Sequence, residues 1–329
     1  MRFSSRVDRI LATWAVAILC AVIIALVALA LINRTVYNPA GQVSQYFAAV
    51  REGNGERALG ILGATVPESN GAMLDGDALR ASMAQLKDLE VAQTQYSDDG
   101  SHAVVTVSYT LDGQPQTTDF QLSKVGSHWG VFDQWHIDTK ELPVVNVASS
   151  GDSAATLNNQ KVAIDQGKRA FAVTYPGEFT ATYESALYSA KPQTAQVVSA
   201  DQKPQTLSIE LVPSETAQNS IVYSIKSQLD QCAIQSSLYP AGCPFEYDFT
   251  GRVQGDVKWS IEKYPEPQAK LAPEGKWVLP DSQGTAKVSF TQLDLLTGKT
   301  SQVNDTVNFI YSGTLETTDT DVTVHPVSH

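Results

Sequence analysis

The residues from Ile10 to Ile32 read ILATWAVAILCAVIIALVALALI, a run without a single charged side chain. A helix rises about 1.5 Å per residue, so a run of this length crosses the ~30 Å hydrocarbon core of a bilayer. Arg2, Arg6 and Arg9 precede the run, whereas only Arg34 follows it closely. Because basic residues favour the cytoplasmic side, we expect a single-pass cell-membrane protein with a cytoplasmic N-terminus and an extracytoplasmic C-terminal bulk.

A cleaved signal peptide is the alternative interpretation of this segment. Ala28-Leu29-Ala30 has the pattern of small residues that a signal peptidase uses, and cleavage after Ala30 would secrete the remainder. The apolar run is longer than the ~7–15 residues of a secretory signal, which favours a retained signal anchor. We therefore expect residues 1–37 to form a cytoplasmic stub and a transmembrane helix, with residues 10–32 in contact with the lipid bilayer.

The chain after this segment is strongly acidic. The formal net charge of the 329 residues is −12, although arginines make the N-terminal segment basic. A surface of this sign repels phosphate backbones, and no stripe of Lys and Arg with interleaved aromatic residues offsets it. We therefore expect no nucleic-acid partner. The length predicts two or three folded units beyond the apolar run.

Three cysteines divide between two environments. Cys20 lies in the apolar run, so Cys232 and Cys243 can pair with each other or across chains. A disulfide that closes the short loop between them is expected in an oxidising compartment, where it would stabilise the fold. A redox role is not predicted because the two are not a C-x-x-C pair, and a metal site would need further Cys or His nearby.

Three short helices are predicted after residue 37. Asn38-Pro39 fits an N-cap and a first helical position, and Gly53 fits the end of that helix. Asn54 fits the cap of a second helix, and Asp75 or Asp77 fits the cap of a third. The third helix is expected to carry the following apolar residues: Leu79, Met83 and Leu86.

Alternating hydrophobicity beyond Leu89 predicts four antiparallel strands joined by tight turns. The turns are expected at Asp98-Asp99-Gly100, at Asp112-Gly113 and at Gly126. One face of the second strand is apolar, which predicts a sheet packed on the helices. The strands are expected over residues 91–96, 102–111, 117–125 and 128–137.

This order of helices and strands resembles the nuclear transport factor 2-like superfamily of cone-shaped α+β domains. Residues 43–59 (VSQYFAAVREGNGERAL) look like the opening of its membrane-anchored bacterial members, of the actinobacterial type, and Trp129-Gly130-Val131-Phe132 looks like their closing strand. The resemblance covers residues 38–140. It implies a cone-shaped domain but leaves the function open, since members include isomerases, hydratases and proteins without activity.

The resemblance also implies where a site would lie. In enzymes of that superfamily an Asp or His faces the cone pocket, and here Asp133 is in phase with Trp129 and Trp135 on the last strand. These three residues are the pocket candidates. His102 is expected in solvent beside a turn, and His136 is expected on the opposite face from the tryptophans. His128 is expected, like His102, at a strand start.

The remaining chain is expected to contain two further modules. Residues 141–212 show short strands broken by Gly and Pro, which predicts a small β-sandwich, and Leu157–Val162 with Tyr175–Thr180 is similar to hairpins of PEGA-type envelope modules. Residues 213–325 begin with an amphipathic helix from Ser214 to Cys232 and continue as strands, which predicts an α+β domain containing the disulfide.

The expected function is that of a non-enzymatic accessory or binding protein of the cell envelope, with an envelope protein or a cell-wall component as partner. The sequence has no phosphate-binding glycine loop, no G-x-S-x-G, no H-E-x-x-H and no EF-hand loop, so no cofactor, metal or catalytic residue is predicted. The alternative is small-molecule binding, or isomerase-like or hydrolase-like catalysis, in the pocket of the 38–140 domain.

Overall fold

The computed structural model describes residues 7–35, 37–128, 132–149, 154–272 and 275–327. An apolar helix near the N-terminus is followed by a mostly β-stranded remainder, as predicted at that level of detail. The chain forms two compact units. Unit 1 comprises residues 1–181 and 193–208, and unit 2 comprises residues 182–192 and 209–329.

Helix α1 (Val7–Thr35) contains the predicted apolar run. Its segment Leu11–Leu29 has a mean hydropathy of 2.7, and none of it is buried. Among the described residues it is the only helix long and apolar enough to cross a membrane. Length and composition suit a membrane anchor, and they suit a signal sequence equally.

Helix α2 (Pro39–Glu52) begins and ends where the sequence predicts, and α3 (Gly55–Leu62) begins where it predicts. The Asn38 side chain accepts a hydrogen bond from the Gly41 amide at 2.6 Å, and Asn54 accepts one from the Arg57 amide at 2.9 Å. Gly53 ends α2 with φ of 70°, a left-handed conformation that glycine adopts without steric cost.

Helix α4 (Gly76–Ser82) is shorter than expected. Asp75 occupies its N-cap position, but the carboxylate accepts a hydrogen bond from the Gly55 amide at 2.9 Å. Asp75 therefore caps the start of α3 instead of its own helix. The predicted extension to Leu86 is wrong, because the helix ends before Met83.

The four strands after α4 form an antiparallel meander in the order β1-β2-β3-β4. On β2, five alternating side chains from Ala103 to Leu111 are buried, as predicted. The predicted turn at Gly126 is wrong, because Gly126 lies inside β3 and pairs with Gln134 beside a register shift. The strands are β1 (Lys87–Tyr96), β2 (His102–Leu111), β3 (Gln114–His128) and β4 (Phe132–Ile137).

Two smaller sheets complete unit 1, one in the order β11-β5-β8 and one in the order β10-β9-β6-β7, with residues 193–197 of β10. Asn158 and Asn159, both with positive φ, form the turn of the β6–β7 hairpin. The strands are β5 (Val144–Ser149), β6 (Ala154–Leu157), β7 (Gln160–Ala163), β8 (Lys168–Ala172), β9 (Gly177–Glu184), β10 (Tyr188–Val197) and β11 (Gln205–Ile209).

Residues on both sides of position 140, where a domain boundary is predicted, belong to unit 1. Backbone hydrogen bonds of Asn70 link the two sides of this position. The Asn70 amide donates to the Ala170 carbonyl at 2.9 Å, and its carbonyl accepts from the Ala172 amide at 3.0 Å. The loop before α4 therefore pairs with β8 through backbone hydrogen bonds.

Unit 2 packs one helix on a three-stranded sheet. Ser214 caps α5 (Glu215–Ala233), and Ile221, Ile225 and Leu229 on its buried face belong to one apolar core with the sheet. The predicted disulfide joins Cys232 at the end of α5 to Cys243, with 5.8 Å between the Cα atoms.

The sheet of unit 2 has the order β13-β16-β17. Strand β12 pairs with the first residues of β10, and β14 with β15 and β18 with β19 form two short ribbons. The strands are β12 (Leu211–Pro213), β13 (Arg252–Lys263), β14 (Lys270–Leu271), β15 (Trp277–Val278), β16 (Ser282–Leu293), β17 (Thr300–Tyr311), β18 (Gly313–Thr317) and β19 (Val322–Pro326).

Candidate functional site

Aromatic rings occupy the space between α2 and the four-stranded sheet. Phe120 on β3 contacts Tyr46 and Phe47 of α2, with ring centroids 5.9 and 5.7 Å apart. Tyr175, in the segment before β9, stacks on Phe120 at 5.4 Å. All four side chains are buried. Tyr175, which lies beyond the predicted cone domain, thus fills part of the interior in which a cone pocket was expected.

Hydrogen bonds fix the two buried tyrosines of this cluster. The Tyr46 hydroxyl donates to the Tyr175 carbonyl at 2.7 Å, and the Tyr175 hydroxyl is hydrogen-bonded to the Thr139 hydroxyl. Burial raises the pKa of both phenols above the ordinary value. Both hydroxyls therefore stay protonated at neutral pH.

The predicted site residue Asp133 lines a cleft of about 570 Å³ with Trp135 and His136. Its carboxylate forms an ion pair with Lys124 at 2.7 Å. The Trp135 ring is buried and meets the Tyr96 ring edge-on. Trp129, the third candidate, lies outside the described residues.

Within residues 38–140, the structure describes the side-chain surroundings of His136 and His102 but not those of His128. His136 packs against Gly63, where an added Cβ would lie only 2.1 Å from the imidazole ring. His136 also lines the cleft around Asp133. His102 is exposed beside a turn, as expected, and its Nδ1 is 2.7 Å from the Ser101 hydroxyl.

A larger cleft of about 630 Å³ lies where three segments of unit 1 meet. One segment is the middle of β3, another is residues 138–144 after β4, and the third is the loop 199–204. Exposed acidic side chains outnumber basic ones around it, with Lys140 as the only basic residue among the described residues that line it. The carboxylates belong to Asp119, Asp138, Glu141 and Asp201. We call this the acidic cleft.

Local hydrogen bonds position the walls of the acidic cleft. The Gln202 side chain accepts from the Val198 amide at 2.9 Å and donates to the Gln196 carbonyl at 2.6 Å, which fixes the loop 199–204. Thr65 holds the opposite wall, because its amide donates to the Lys140 carbonyl and its carbonyl accepts from the Leu142 amide.

Two of the carboxylates are oriented by neighbouring hydroxyls. Thr106 donates to Asp119 at 2.6 Å, and Ser123 donates to Asp138 at 2.5 Å. Tyr175 also lines the cleft, and the negative charge of Asp201 contributes to its raised pKa after the larger effect of burial. The arrangement offers several negative charges and a protonated phenol, a combination that suits a cationic ligand.

The sequence gives no signal for the acidic cleft. Its four carboxylates lie between residues 119 and 201, in strands and loops that only the folded chain brings together. They share no spacing that a helix or strand period would reveal. Within the described parts of the chain, no group of three or more His, Cys, Asp and Glu residues is arranged to hold a metal ion.

Comparison with protein-family models, with curated proteins and with solved structures finds no match for this chain. The resemblances to cone-shaped domains and to PEGA-type modules therefore stay predictions. The function has to be inferred from the geometry of the clefts.

Proposed function

We propose that the protein is a membrane-anchored, non-enzymatic binding protein of the cell envelope, whose acidic cleft binds a Lys- or Arg-rich segment of a partner. The observation that carries the proposal is the set of four exposed carboxylates around one open cleft of about 630 Å³. Opposite charge on a partner segment would steer association and fix its register.

The size and openness of the acidic cleft support a peptide ligand. A cavity of this volume accommodates a few side chains, and its carboxylates are exposed to solvent instead of being buried with one another. Exposed carboxylates bind ammonium and guanidinium groups without a large desolvation cost. Arginine would add bidentate hydrogen bonds.

Helix α1 supports the membrane location. It combines the required length with an uncharged segment of high hydropathy, and basic residues precede it. On this proposal the acidic cleft belongs to the extracytoplasmic side, where basic segments of other envelope proteins are accessible.

Site-directed photo-crosslinking in intact cells tests this function. A photoreactive amino acid replaces Ala200, which lines the cleft, and the control replaces the exposed Ala92 on β1. We expect crosslinks from position 200 to Lys- or Arg-rich segments of exported proteins, and none of these from position 92. Identical crosslinks from both positions would rule out the cleft as the binding site.

The cleft around Asp133 supports a second candidate function, the binding of a small molecule. It brings a carboxylate, an imidazole and an indole to one cavity of about 570 Å³. Screening a library of small polar metabolites by thermal shift, with Asp133→Asn as the control, tests it. A ligand that stabilises the wild type but not the variant would favour this function over peptide binding.

A further inference from the structure

Glu178 on β9 has an unusual environment for an acidic side chain. Only 8% of its surface is exposed, and its buried Oε2 has no hydrogen-bond partner among the described residues. A buried carboxylate oxygen without a partner carries a considerable free-energy cost. A proton or a cation bound to this oxygen would remove the cost.

The surroundings of Glu178 supply two further oxygen-bearing side chains. The Gln196 amide nitrogen donates to Oδ2 of Asp112 at 2.7 Å, and the Gln196 side chain also hydrogen-bonds to the Glu178 carboxylate. The amide group of Gln196 thus bridges two carboxylates that repel each other. A donor between two carboxylates occupies the kind of position that a cation would take.

We propose that Glu178, Asp112 and Gln196 form a Ca²⁺ site. Rotation of the terminal amide of Gln196 by about 180° would turn its Oε1 toward the two carboxylates, so that all three side chains present oxygen. Oxygen ligands of this kind are those that Ca²⁺ binds, and its coordination number leaves positions for water on the exposed side of Asp112. The site uses two carboxylates and one amide.

Charge and backbone geometry are consistent with this assignment. Burial, and then the charge of Asp112, raises the pKa of Glu178, while Gln196 opposes this effect only in part. Asp112 lies in the β2–β3 turn with φ of 50°, a left-handed conformation that Asp adopts more readily than most residues. The side-chain amide of Asn158 donates to the backbone carbonyl of Glu178 at 3.1 Å, which fixes the backbone of β9 at this position.

The direction in which folding stability changes with pH distinguishes a cation bound at Glu178 from a proton bound there. Because the folded-state pKa of Glu178 is raised, its contribution to stability is largest below its unfolded pKa and is lost as pH rises through the folded value. Ca²⁺ binds the ionised carboxylate and would offset this loss. The stabilisation by Ca²⁺ is therefore expected at neutral pH and should disappear in acid.

Thermal unfolding of the full-length protein in detergent micelles, at constant ionic strength, tests the proposal. Sites of few charges in extracytoplasmic modules bind Ca²⁺ with dissociation constants of about 10⁻⁴–10⁻³ M. At roughly ten times that concentration we expect the unfolding temperature of unit 1 to rise by about 3–5 °C. Mg²⁺ should give a smaller rise, because it gives up its water ligands less readily than Ca²⁺ does.

Two variants make the test specific. Asp112→Asn keeps the turn, since Asn tolerates positive φ, and Glu178→Gln keeps the shape of the buried side chain. Both should abolish the Ca²⁺-induced rise, whereas Asp98→Asn in the β1–β2 turn, at the opposite end of β2, should preserve it. An unfolding temperature of the wild type that Ca²⁺ leaves unchanged at neutral pH would overturn the proposal and assign a proton to Glu178.

Discussion

Unit 1 packs several helices and unit 2 packs one helix on an antiparallel sheet, and the two units fill the space between helix and sheet differently. In unit 1, hydroxyl groups of Tyr46, Tyr175 and Thr139 are hydrogen-bonded within the aromatic cluster, and Tyr175 reaches the acidic cleft. In unit 2, the buried face of α5 is mostly aliphatic, and it shares one apolar core with Phe290 and Phe309 of the sheet. Unit 1 therefore couples its core to a polar cleft. In unit 2, the aliphatic face and the disulfide of α5 are supplemented by polar contacts such as the hydrogen bond that the Tyr311 hydroxyl donates to Gln228 at 2.7 Å.

This difference indicates a division of roles between the units. A core that ends in a polar cleft can transmit a change in packing to a bound ligand, because Tyr175 belongs to both. Because no ligand is assigned to unit 2, its core is expected to contribute stability alone. The following predictions separate the two cases, from the largest expected effect to the smallest.

The largest effect is expected for Phe120→Ala in unit 1. The ring is 1% exposed and contacts three other rings, so its removal should lower the unfolding free energy by about 3–5 kcal/mol. Denaturant unfolding measures this. Phe290→Ala in unit 2 is the matched control, with a similar loss of stability. Only Phe120→Ala should also weaken peptide binding, and equal binding by both variants would contradict the coupling.

A smaller effect is expected when the disulfide is removed. The double substitution Cys232→Ser and Cys243→Ser opens a loop with a sequence separation of 11, which should lower the stability of unit 2 by about 2–3 kcal/mol. Calorimetry should show a lower transition temperature for unit 2 and an unchanged one for unit 1. A parallel decrease in both transitions would show that the units do not unfold separately.

The smallest effect is expected for Asp133→Asn. The Lys124–Asp133 pair retains substantial solvent exposure, and such pairs contribute about 0–1 kcal/mol. Urea unfolding of the variant and of Lys124→Met measures the contribution. A loss of several kcal/mol would show that Asp133 supports the fold of unit 1 more than its exposure indicates.

Local signals in the sequence predicted most of the secondary structure. Asn38, Asn54 and Ser214 carry their capping information in their own side chains and in the residues that follow, so the helix starts were predictable. The alternating pattern of β2 was equally local. Gly126 shows the limit, because whether a glycine forms a turn or a bulge depends on the partner strand.

The acidic cleft could not be predicted because it is a property of tertiary structure. Asp119, Asp138 and Asp201 lie far apart in the sequence and line one cleft only in the folded unit 1. The same holds for Tyr175, which lies 36 residues after its hydrogen-bond partner Thr139. Asp133 was predictable as a candidate, since its strand position was local, but its ion pair with Lys124 was not.

Titration of a fluorescein-labelled oligolysine peptide, followed by fluorescence anisotropy, tests the proposed role of the acidic cleft most directly. The wild type is compared with a variant in which Asp119, Asp138 and Asp201 become Asn and Glu141 becomes Gln. The control variant neutralises four exposed carboxylates elsewhere, those of Asp98, Asp256, Glu262 and Asp319. We expect salt-sensitive binding that the cleft variant loses by at least about tenfold and the control retains. Equal affinity of both variants would contradict a specific cleft.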